Sequence, residues 1–434
     1  MRKPETKPKW RKVITEFGVP LHIYSMPQAT TVACGVRVNA GAIDERWPEE
    51  AGLAHAIEHM LFQGTEELPD SKAITSVIED TGGSIDALTG KESTLFYTLV
   101  PADEIEKSFY VLSQLLVHPT LPEEKVAVEM KIILEEIKAA QDDSGDYAVN
   151  MAIAKMYGTH PFGREVAGTK ESVSRFIRAD FVRWLSHYYH ANNFDFIVSG
   201  KLPDDSERKV AQLFSKYFHG LRENVPNQRE ISGRADGTKF HFEERQIQQV
   251  HVALLAPTCP GNSDDAAALS IFQCMISGGM SFPLFCEVRD KLGLCYEIWA
   301  ENIRFSDIGF FLVYAATDAD RYQETVRKIC EVISGSKTDG ALLERAKKVL
   351  RGRVAIAFEK PTTILQSARN DIAIFGKPRD MEDVTKRVNS VSILEIHSAV
   401  NKYLDANWLS RIFLVPNGLK IARPDEPKVY PTPY

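Results

Sequence analysis

Residues 172–200 read SVSRFIRADFVRWLSHYYHANNFDFIVSG, and residues 383–416 read DVTKRVNSVSILEIHSAVNKYLDANWLSRIFLVP. Each stretch carries a helical pattern that is followed by a short β-rich run. Three residues recur at matching positions: Tyr188, Ala191 and Asn192 in the first stretch, and Tyr403, Ala406 and Asn407 in the second. Although the identities are few, this internal match indicates duplication of one α/β unit.

The length of the chain also indicates two domains. At 434 residues it exceeds the usual size of a single hydrophobic core. The most polar and breaker-rich interval, residues 219–239, divides the chain into two nearly equal parts. We therefore predict an N-terminal domain at residues 1–222, a linker at 223–236 and a homologous C-terminal domain at 237–434.

The apolar pattern predicts the same fold in both parts. Alternating, Val-rich segments are typical of strands, and apolar residues three or four apart are typical of helices. In the first part we predict strands at 30–42, 84–89 and 93–100, and helices at 49–62, 71–81 and between 103 and 190. In the second part we predict strands at 249–256, 296–303 and 309–315, and a helix at 263–276. Short turns between neighbouring strands favour an α+β fold: two homologous domains, each a mostly antiparallel mixed β-sheet with helices covering one face.

Composition narrows the possible partners and the compartment. The net charge of −7 and the scattered basic residues argue against a nucleic-acid partner. No run of 18 apolar residues exists, so we predict no membrane span.

Residues 2–12 are basic but lack a following apolar segment, which favours a frayed tail over an export signal. The six cysteines show no metal-type pairing, and we expect reduced thiols in a cytoplasmic protein.

Residues 51–65, AGLAHAIEHMLFQGT, carry a candidate metal site. On the predicted helix His55 and His59 are four residues apart and share one face, with Glu58 beside them. Two imidazoles on one helical turn suit Zn²⁺, and a catalytic zinc site leaves one position to a water whose pKa the metal lowers. Glu58 can take the proton of that water as a general base. The alternative is that both histidines are ordinary members of a half-buried helix.

A third ligand is available in EMKIILEEI, residues 129–137. Glu129 and Glu136 are seven residues apart, two helical turns, and therefore share a face with Ile132 and Ile133. Carboxylates among isoleucines are costly to bury unless a cation meets them. We therefore predict that Glu136 is a ligand and that Glu129 lies behind it, while a solvated helix face remains the alternative for Glu136 taken alone.

The motif His55-x-x-Glu58-His59, followed by Glu129 and Glu136, resembles that of the pitrilysin/insulysin family of inverzincin zinc peptidases. The chain length resembles the half-size branch that contains the mitochondrial processing peptidase and its bacterial relatives, and the similarity extends from about residue 15 to 415. The resemblance implies the fold shared by LuxS-type metalloenzymes and processing peptidases. It also implies one Zn²⁺ per chain, held by His55, His59 and Glu136, with Glu58 as general base and Glu129 in support.

The second half contains another family match, GGMSFPLFCEVRDKLGLCY, residues 278–296. Here the family has an Arg and a Tyr seven residues apart, which correspond to Arg289 and Tyr296. The resemblance implies that these side chains hold the substrate and stabilise the oxyanion. For a half-size chain it also implies a homodimer, in which Arg289 and Tyr296 complete the zinc site of the partner subunit.

The strand predicted at 84–89 matches the segment by which the family binds a peptide through β-addition. The residues implied to bind substrate are Ile85, Asp86, Ala87, Leu88 and Thr89. Relatives often carry Asn where this chain has Asp86, so the polar contacts to substrate at that position stay open. Leu88 implies an apolar or aromatic substrate side chain beside the scissile bond.

Together these features predict a zinc metalloendopeptidase that hydrolyses unfolded or short peptides. Two alternatives are open, and the first belongs to another functional class. The first is a non-catalytic scaffold or assembly subunit of the same fold, which the intact site residues disfavour. The second is the catalytic half of an obligate heterodimer, which the presence of both motifs in one chain disfavours.

Overall fold

The computed structural model describes residues 8–225, 229, 231, 235–405, 409–419 and 421. The chain forms two compact units, each assembled from three segments. Unit 1 comprises Met1–Lys138, Arg164–Glu230 and Ile356–Met381, and unit 2 comprises Ala139–Gly163, Ile231–Ala355 and Glu382–Tyr434. Each unit therefore includes a segment from the other half of the chain, which the predicted split at 223–236 does not provide for. The matched residues Ala406 and Asn407 lie outside the described residues.

Helices and strands follow one another in an order that repeats along the chain. The first part contains β1 (Trp10–Ile14), β2 (Pro20–Ser25), β3 (Thr31–Val38), α1 (Leu53–Leu61), α2 (Ser71–Glu79), β4 (Ser84–Thr89), β5 (Thr94–Pro101), α3 (Ile105–Val117), α4 (Glu123–Asp142), α5 (Ser144–Tyr157), α6 (Lys170–Val173), α7 (Arg178–Tyr188), β6 (Phe194–Gly200) and α8 (Ser206–Tyr217). The second part contains β7 (Phe240–Arg245), β8 (Val250–Thr258), α9 (Asp264–Ser277), β9 (Cys295–Arg304), β10 (Gly309–Thr317), α10 (Tyr322–Ser336), α11 (Gly340–Ala357), α12 (Pro361–Phe375), α13 (Met381–Ser390), α14 (Ile393–Tyr403) and β11 (Ser410–Pro416).

The two units contain sheets of the same design. In unit 1 the strand order is β1-β2-β6-β3-β5-β4, and in unit 2 it is β7-β11-β8-β10-β9. Only the pairs β2–β6 and β7–β11 are parallel among the described pairings, and the others are antiparallel. Strand for strand, β2, β6, β3, β5 and β4 correspond to β7, β11, β8, β10 and β9. The predicted α+β fold with two related mixed sheets is confirmed.

Both faces of the unit 1 sheet are covered by helices. On one face Val32 and Val36 of β3 pack in a large core with α1 and α3. On the other face Ala33 of β3 packs against Leu365 of α12, together with Ala368 on the same helix. The prediction that helices cover one face of each sheet is therefore wrong for unit 1. The second layer comes from α12, more than 150 residues beyond the last strand of that sheet.

Two further predictions need correction. Trp10 begins β1, which pairs with β2 over its whole length, so the predicted frayed tail at 2–12 contains part of a strand. Residues 2–7 lie outside the described part of the chain. The helix predicted at 49–62 begins only at Leu53, because Gly52 has a φ of 88°, a left-handed conformation that ends the preceding turn.

Within the described residues, the helices are all too short or too polar to cross a lipid bilayer.

Candidate metal centre and substrate strand

The helix α1 is fixed at its first turn by a buried carboxylate. Glu45 accepts hydrogen bonds from the backbone N–H groups of Gly52 and Ala54, both at 3.0 Å. These are the amides that a helix leaves without intrahelical partners. Gly52 also lies so close to a neighbouring loop that a Cβ there would be 2.5 Å from the carbonyl oxygen of Ala167. The start of α1 is therefore held on two sides, and this sets the position of every side chain on the helix.

The two faces of α1 have different roles. Leu53, Ile57, Met60 and Leu61 are fully buried in the core of unit 1, as their helical spacing predicts. His55 and His59 project from another side of the helix, and their rings lie 4.8 Å apart between centroids. The apolar face thus anchors the helix, while the imidazoles remain partly accessible.

Glu136 of α4 meets both imidazoles. Its Oε2 lies 3.8 Å from Nε2 of His55 and 3.7 Å from Nε2 of His59. The ligand atoms of all three residues lie within 4.8 Å of one another. Zinc bound to nitrogen and oxygen at about 2.0–2.2 Å in a tetrahedron separates its ligand atoms by about 3.3–3.6 Å. The donor set and its spacing therefore fit Zn²⁺, and three protein donors leave room for a fourth ligand.

Glu129 lies behind this group and is buried. Its Oε2 is 3.3 Å from Nδ1 of His59, so it orients the ring whose other nitrogen faces Glu136. Ile133 is buried beside it, but Ile132 is 43% exposed. The side chain of Glu136 is itself 48% exposed. The expectation that Glu136 is buried among isoleucines is thus wrong. The evidence that Glu136 is a metal ligand is its convergence with the two imidazoles.

Burial and neighbouring charges tune the three polar groups of α1. Burial, followed by the nearby His59, lowers the pKa of His55 to about 4, so this imidazole is neutral near pH 7. Burial alone would lower the pKa of His59, but the hydrogen bond to Glu129 and the charges of Glu136 and Glu58 together raise it. Burial raises the pKa of Glu58 despite a hydrogen bond that favours its charged form.

That hydrogen bond comes from Thr89, the last residue of β4, whose hydroxyl donates to Oε2 of Glu58. Thr89 therefore contacts the candidate general base, in addition to lying in the segment predicted to bind substrate. In the part of the chain that the structure describes, β4 has a neighbouring strand on one side only. Its side chains alternate between exposed and half-buried, and Leu88 is 44% exposed. The free edge of β4 thus ends beside Glu58.

In unit 2, Arg289 and Tyr296 lie close together. The Arg289 guanidinium is 5.5 Å from the centre of the Tyr296 ring and 4.6 Å from that of Phe285. Arg289 lies near the end of a π-helical segment, Leu284–Asp290, and Tyr296 lies in β9 at the edge of the sheet. Ala316 pairs with Glu297 and Thr317 with Cys295, so Tyr296 is the extra residue of a β-bulge. Its side chain is 73% exposed.

Two contacts that support α1 and β4 in unit 1 were not predicted from the sequence. Glu45 acts on amides seven and nine residues further along, a spacing that no capping motif predicts. Gln366 of α12 donates to the Tyr97 hydroxyl, which in turn donates to Oδ2 of Asp86 on β4. Gln366 is more than 250 residues from its partner, so local patterns carry no signal for it.

Comparison with known proteins agrees with this arrangement. Residues 22–170 match the model of insulinase (peptidase family M16), and residues 175–350 match that of the peptidase M16 inactive domain. The chain belongs to peptidase family M16. The first match contains His55, Glu58, His59 and Glu136, and the second contains Arg289 and Tyr296.

Relatives and solved structures match this chain over nearly their whole length, which is compatible with the half-size branch of M16. A protein of Mycobacterium tuberculosis named an uncharacterized zinc protease is 29% identical over 429 residues, which cover 97% of this chain and 94% of the relative. Another of that name, YmxG of Bacillus subtilis, is 25% identical, with 92% and 96% covered. A protease structure from Helicobacter pylori has a TM-score of 0.85 at 19% identity and covers 94% of this chain and 100% of its own, which shows the shared fold.

The geometry of the cluster predicts which carboxylate of α4 binds zinc. Glu136→Gln should lower zinc affinity at least roughly tenfold, because it removes one of three protein donors. Glu135→Gln should leave the affinity unchanged, because the side chain of Glu135 is 77% exposed and pairs with Lys138. Competition with a chromophoric chelator measures both affinities. Equal zinc affinity in the two variants would contradict the assignment of Glu136.

Proposed function

We propose that the protein is a zinc metalloendopeptidase that hydrolyses unfolded or short peptides. The observation that carries this proposal is the convergence of His55, His59 and Glu136 beside the half-buried carboxylate of Glu58. Relatives named zinc proteases support the choice of metal and of reaction. A scaffold without catalytic activity would have no use for a base held next to a zinc-type donor set.

The roles of the side chains follow from their surroundings. Zinc, when bound, would supply a positive charge that acidifies water and polarises a peptide carbonyl. Glu58 would accept the proton of the attacking water and deliver it to the departing amine. A carboxylate whose pKa is raised by burial is suited to both steps, because its charged and protonated forms differ less in free energy near neutral pH than those of an exposed carboxylate. Thr89 would keep the carboxylate of Glu58 in one orientation.

The free edge of β4 supports the choice of an extended peptide as substrate. A strand at the edge of a sheet can pair with the backbone of an incoming peptide, whatever its sequence. Such pairing requires an extended segment, so folded proteins would be excluded. The exposed Leu88 would favour an apolar or aromatic side chain near the scissile bond.

We also propose that the active form is a homodimer in which Arg289 and Tyr296 of the partner subunit complete each zinc site. The exposure of Tyr296 and its position at a bulge support a role outside its own core. The guanidinium and the phenol would hold the substrate and stabilise the oxyanion. That the protein acts in the cytoplasm stays a prediction from the sequence.

The proposed base is tested by Glu58→Gln, which keeps the shape of the side chain but cannot accept the proton. We expect zinc to remain bound and kcat on quenched fluorescent peptides to fall by roughly 10²–10⁴-fold. Glu135→Gln serves as the matched control and should retain activity. Wild-type-like hydrolysis by Glu58→Gln would refute the role of Glu58, and no hydrolysis by the zinc-loaded wild type would favour a scaffold.

Thr89 is tested as a residue that positions Glu58. Thr89→Val removes the hydroxyl at nearly constant volume and should lower kcat about tenfold, since it deletes a hydrogen bond to a charged group. KM should change little, and Thr89→Ser should restore kcat. If Thr89→Val instead raises KM at constant kcat, Thr89 acts in substrate binding only.

Mixing two inactive variants tests whether the partner subunit completes the site. Glu58→Gln and Tyr296→Phe should each be inactive. After subunit exchange at equal amounts, about half of the dimers are mixed and each mixed dimer contains one intact site of two, so the mixture should regain about a quarter of wild-type activity. If Glu58 and Tyr296 act within the same chain, the mixture stays inactive. A monomer in light scattering at the assay concentration would also contradict the proposal.

A further inference from the structure

The hairpin register shows which backbone groups of β4 face its free edge. The N–H of Gly90 donates to the carbonyl of Ser93, so these two residues form the hydrogen-bonded pair that closes the β4–β5 turn. In an antiparallel ladder, hydrogen-bonded and non-hydrogen-bonded pairs alternate. Thr89 opposite Thr94 and Ala87 opposite Phe96 are therefore non-hydrogen-bonded pairs. The amides of Ala87 and Thr89 consequently point away from β5, towards the edge where a peptide strand would pair.

Both of these edge amides already have an acceptor, and that of the Thr89 amide is the Glu58 carboxylate. The Ala87 N–H donates to Oδ1 of Asp86 at 2.8 Å. The other carboxylate oxygen, Oδ2, accepts from the Tyr97 hydroxyl at 3.0 Å. Asp86 therefore occupies the amide that a substrate carbonyl needs, and Tyr97 holds it in that position.

Asp86 also carries a negative charge without a basic partner. Its hydrogen bonds in the described part of the chain are the two above, its charge repels that of the Glu58 carboxylate, and no Lys, Arg or His side chain there pairs with it. The residue is exposed. Because a carboxylate offers about four lone-pair positions, two of them remain available to a ligand.

The side of the sheet on which Asp86 lies is also determined. Asp86 is directly opposite Tyr97, whose hydroxyl accepts from Gln366 of α12. Thr89, an odd number of residues away, points to the other side and contacts Glu58. A peptide paired with β4 would thus place alternate side chains beside Asp86 and beside the metal cluster.

We propose that Asp86 determines specificity and selects peptides with a Lys or Arg side chain on the α12 side of the paired strand. The basic group draws the Asp86 carboxylate away from the Ala87 amide, which then pairs with the peptide backbone. A neutral or acidic side chain at that position leaves the amide occupied. This inference rests on the proposed peptidase function, because it assumes that β4 receives the substrate.

The test uses full-length zinc-loaded protein and a set of neutral quenched peptides in which one Lys is moved along the sequence, with norleucine and Glu as replacements. For the wild type, Lys at one position should raise kcat/KM roughly three- to fivefold over norleucine, from one exposed ion pair, because the Ala87 amide exchanges one hydrogen-bond partner for another. In Asp86→Asn the preference should fall below about twofold. Glu79→Gln removes an exposed charge just before β4 and should keep the preference.

Two additional measurements separate the possible outcomes. Tyr97→Phe retains the Asp86 charge and should retain the preference for Lys. If Asp86→Asn fails to fold, loss of the preference in Tyr97→Phe would still contradict a selection by that charge. Dissociation constants of the Lys and norleucine peptides for Glu58→Gln should show the same ratio without turnover. The inference about Asp86 is overturned if Asp86→Asn keeps the full preference for Lys, or if the wild type shows none. In either case hydrolysis of the neutral peptides still supports the proposed peptidase function. No hydrolysis of any peptide overturns both.

Discussion

The convergence of three carboxylates on two imidazoles is the constraint around which the site is organised. Glu58 and Glu129 are withdrawn from solvent, and Glu136 joins them from the same helix as Glu129. The carboxylates repel one another, solvent screens the charges of Glu58 and Glu129 poorly, and a neutral His55 offers no compensation. A divalent cation held by His55, His59 and Glu136 would offset this charge. With the cation bound there, Glu58 would lie beside it in the position of the proposed base.

The rest of unit 1 serves to hold these groups in place. Glu45 fixes the start of α1, and the buried face of that helix fixes its rotation. The sheet then brings β4 to its edge, where one side of the strand contacts Glu58 through Thr89 and the other faces α12 through Tyr97. Exposed sheet edges commonly carry charged side chains that discourage unwanted pairing. Asp86 fits that role, and in a peptidase the same feature becomes a means of choosing substrates.

The sequence was sufficient wherever a local period carries the information. The spacing of His55, Glu58 and His59 along one helix, and the seven residues between Glu129 and Glu136, predicted side chains that the structure brings together. The edge strand Ser84–Thr89 was predicted with its observed bounds. The duplicated α/β unit was visible in a few matched residues, and the equivalent strand orders of the two sheets account for them.

Features that depend on distant segments were not predictable in this way. The helix α12 reads as any amphipathic helix, and nothing in its pattern says that it packs on β3. Glu45 lies too far from Gly52 for a capping signal, and the bulge at Tyr296 depends on the register with β10. Trp10 was assigned to a tail because five residues of strand are too short to outweigh a basic composition.

The central claim, hydrolysis that depends on one zinc ion in this cluster, is tested most directly by titrating zinc into the metal-free protein while following cleavage of one peptide. The account predicts no cleavage without metal, a linear rise on addition of zinc, and saturation at about one zinc ion per chain. Cleavage that persists in the metal-free protein, or its absence at full zinc occupancy, would contradict it.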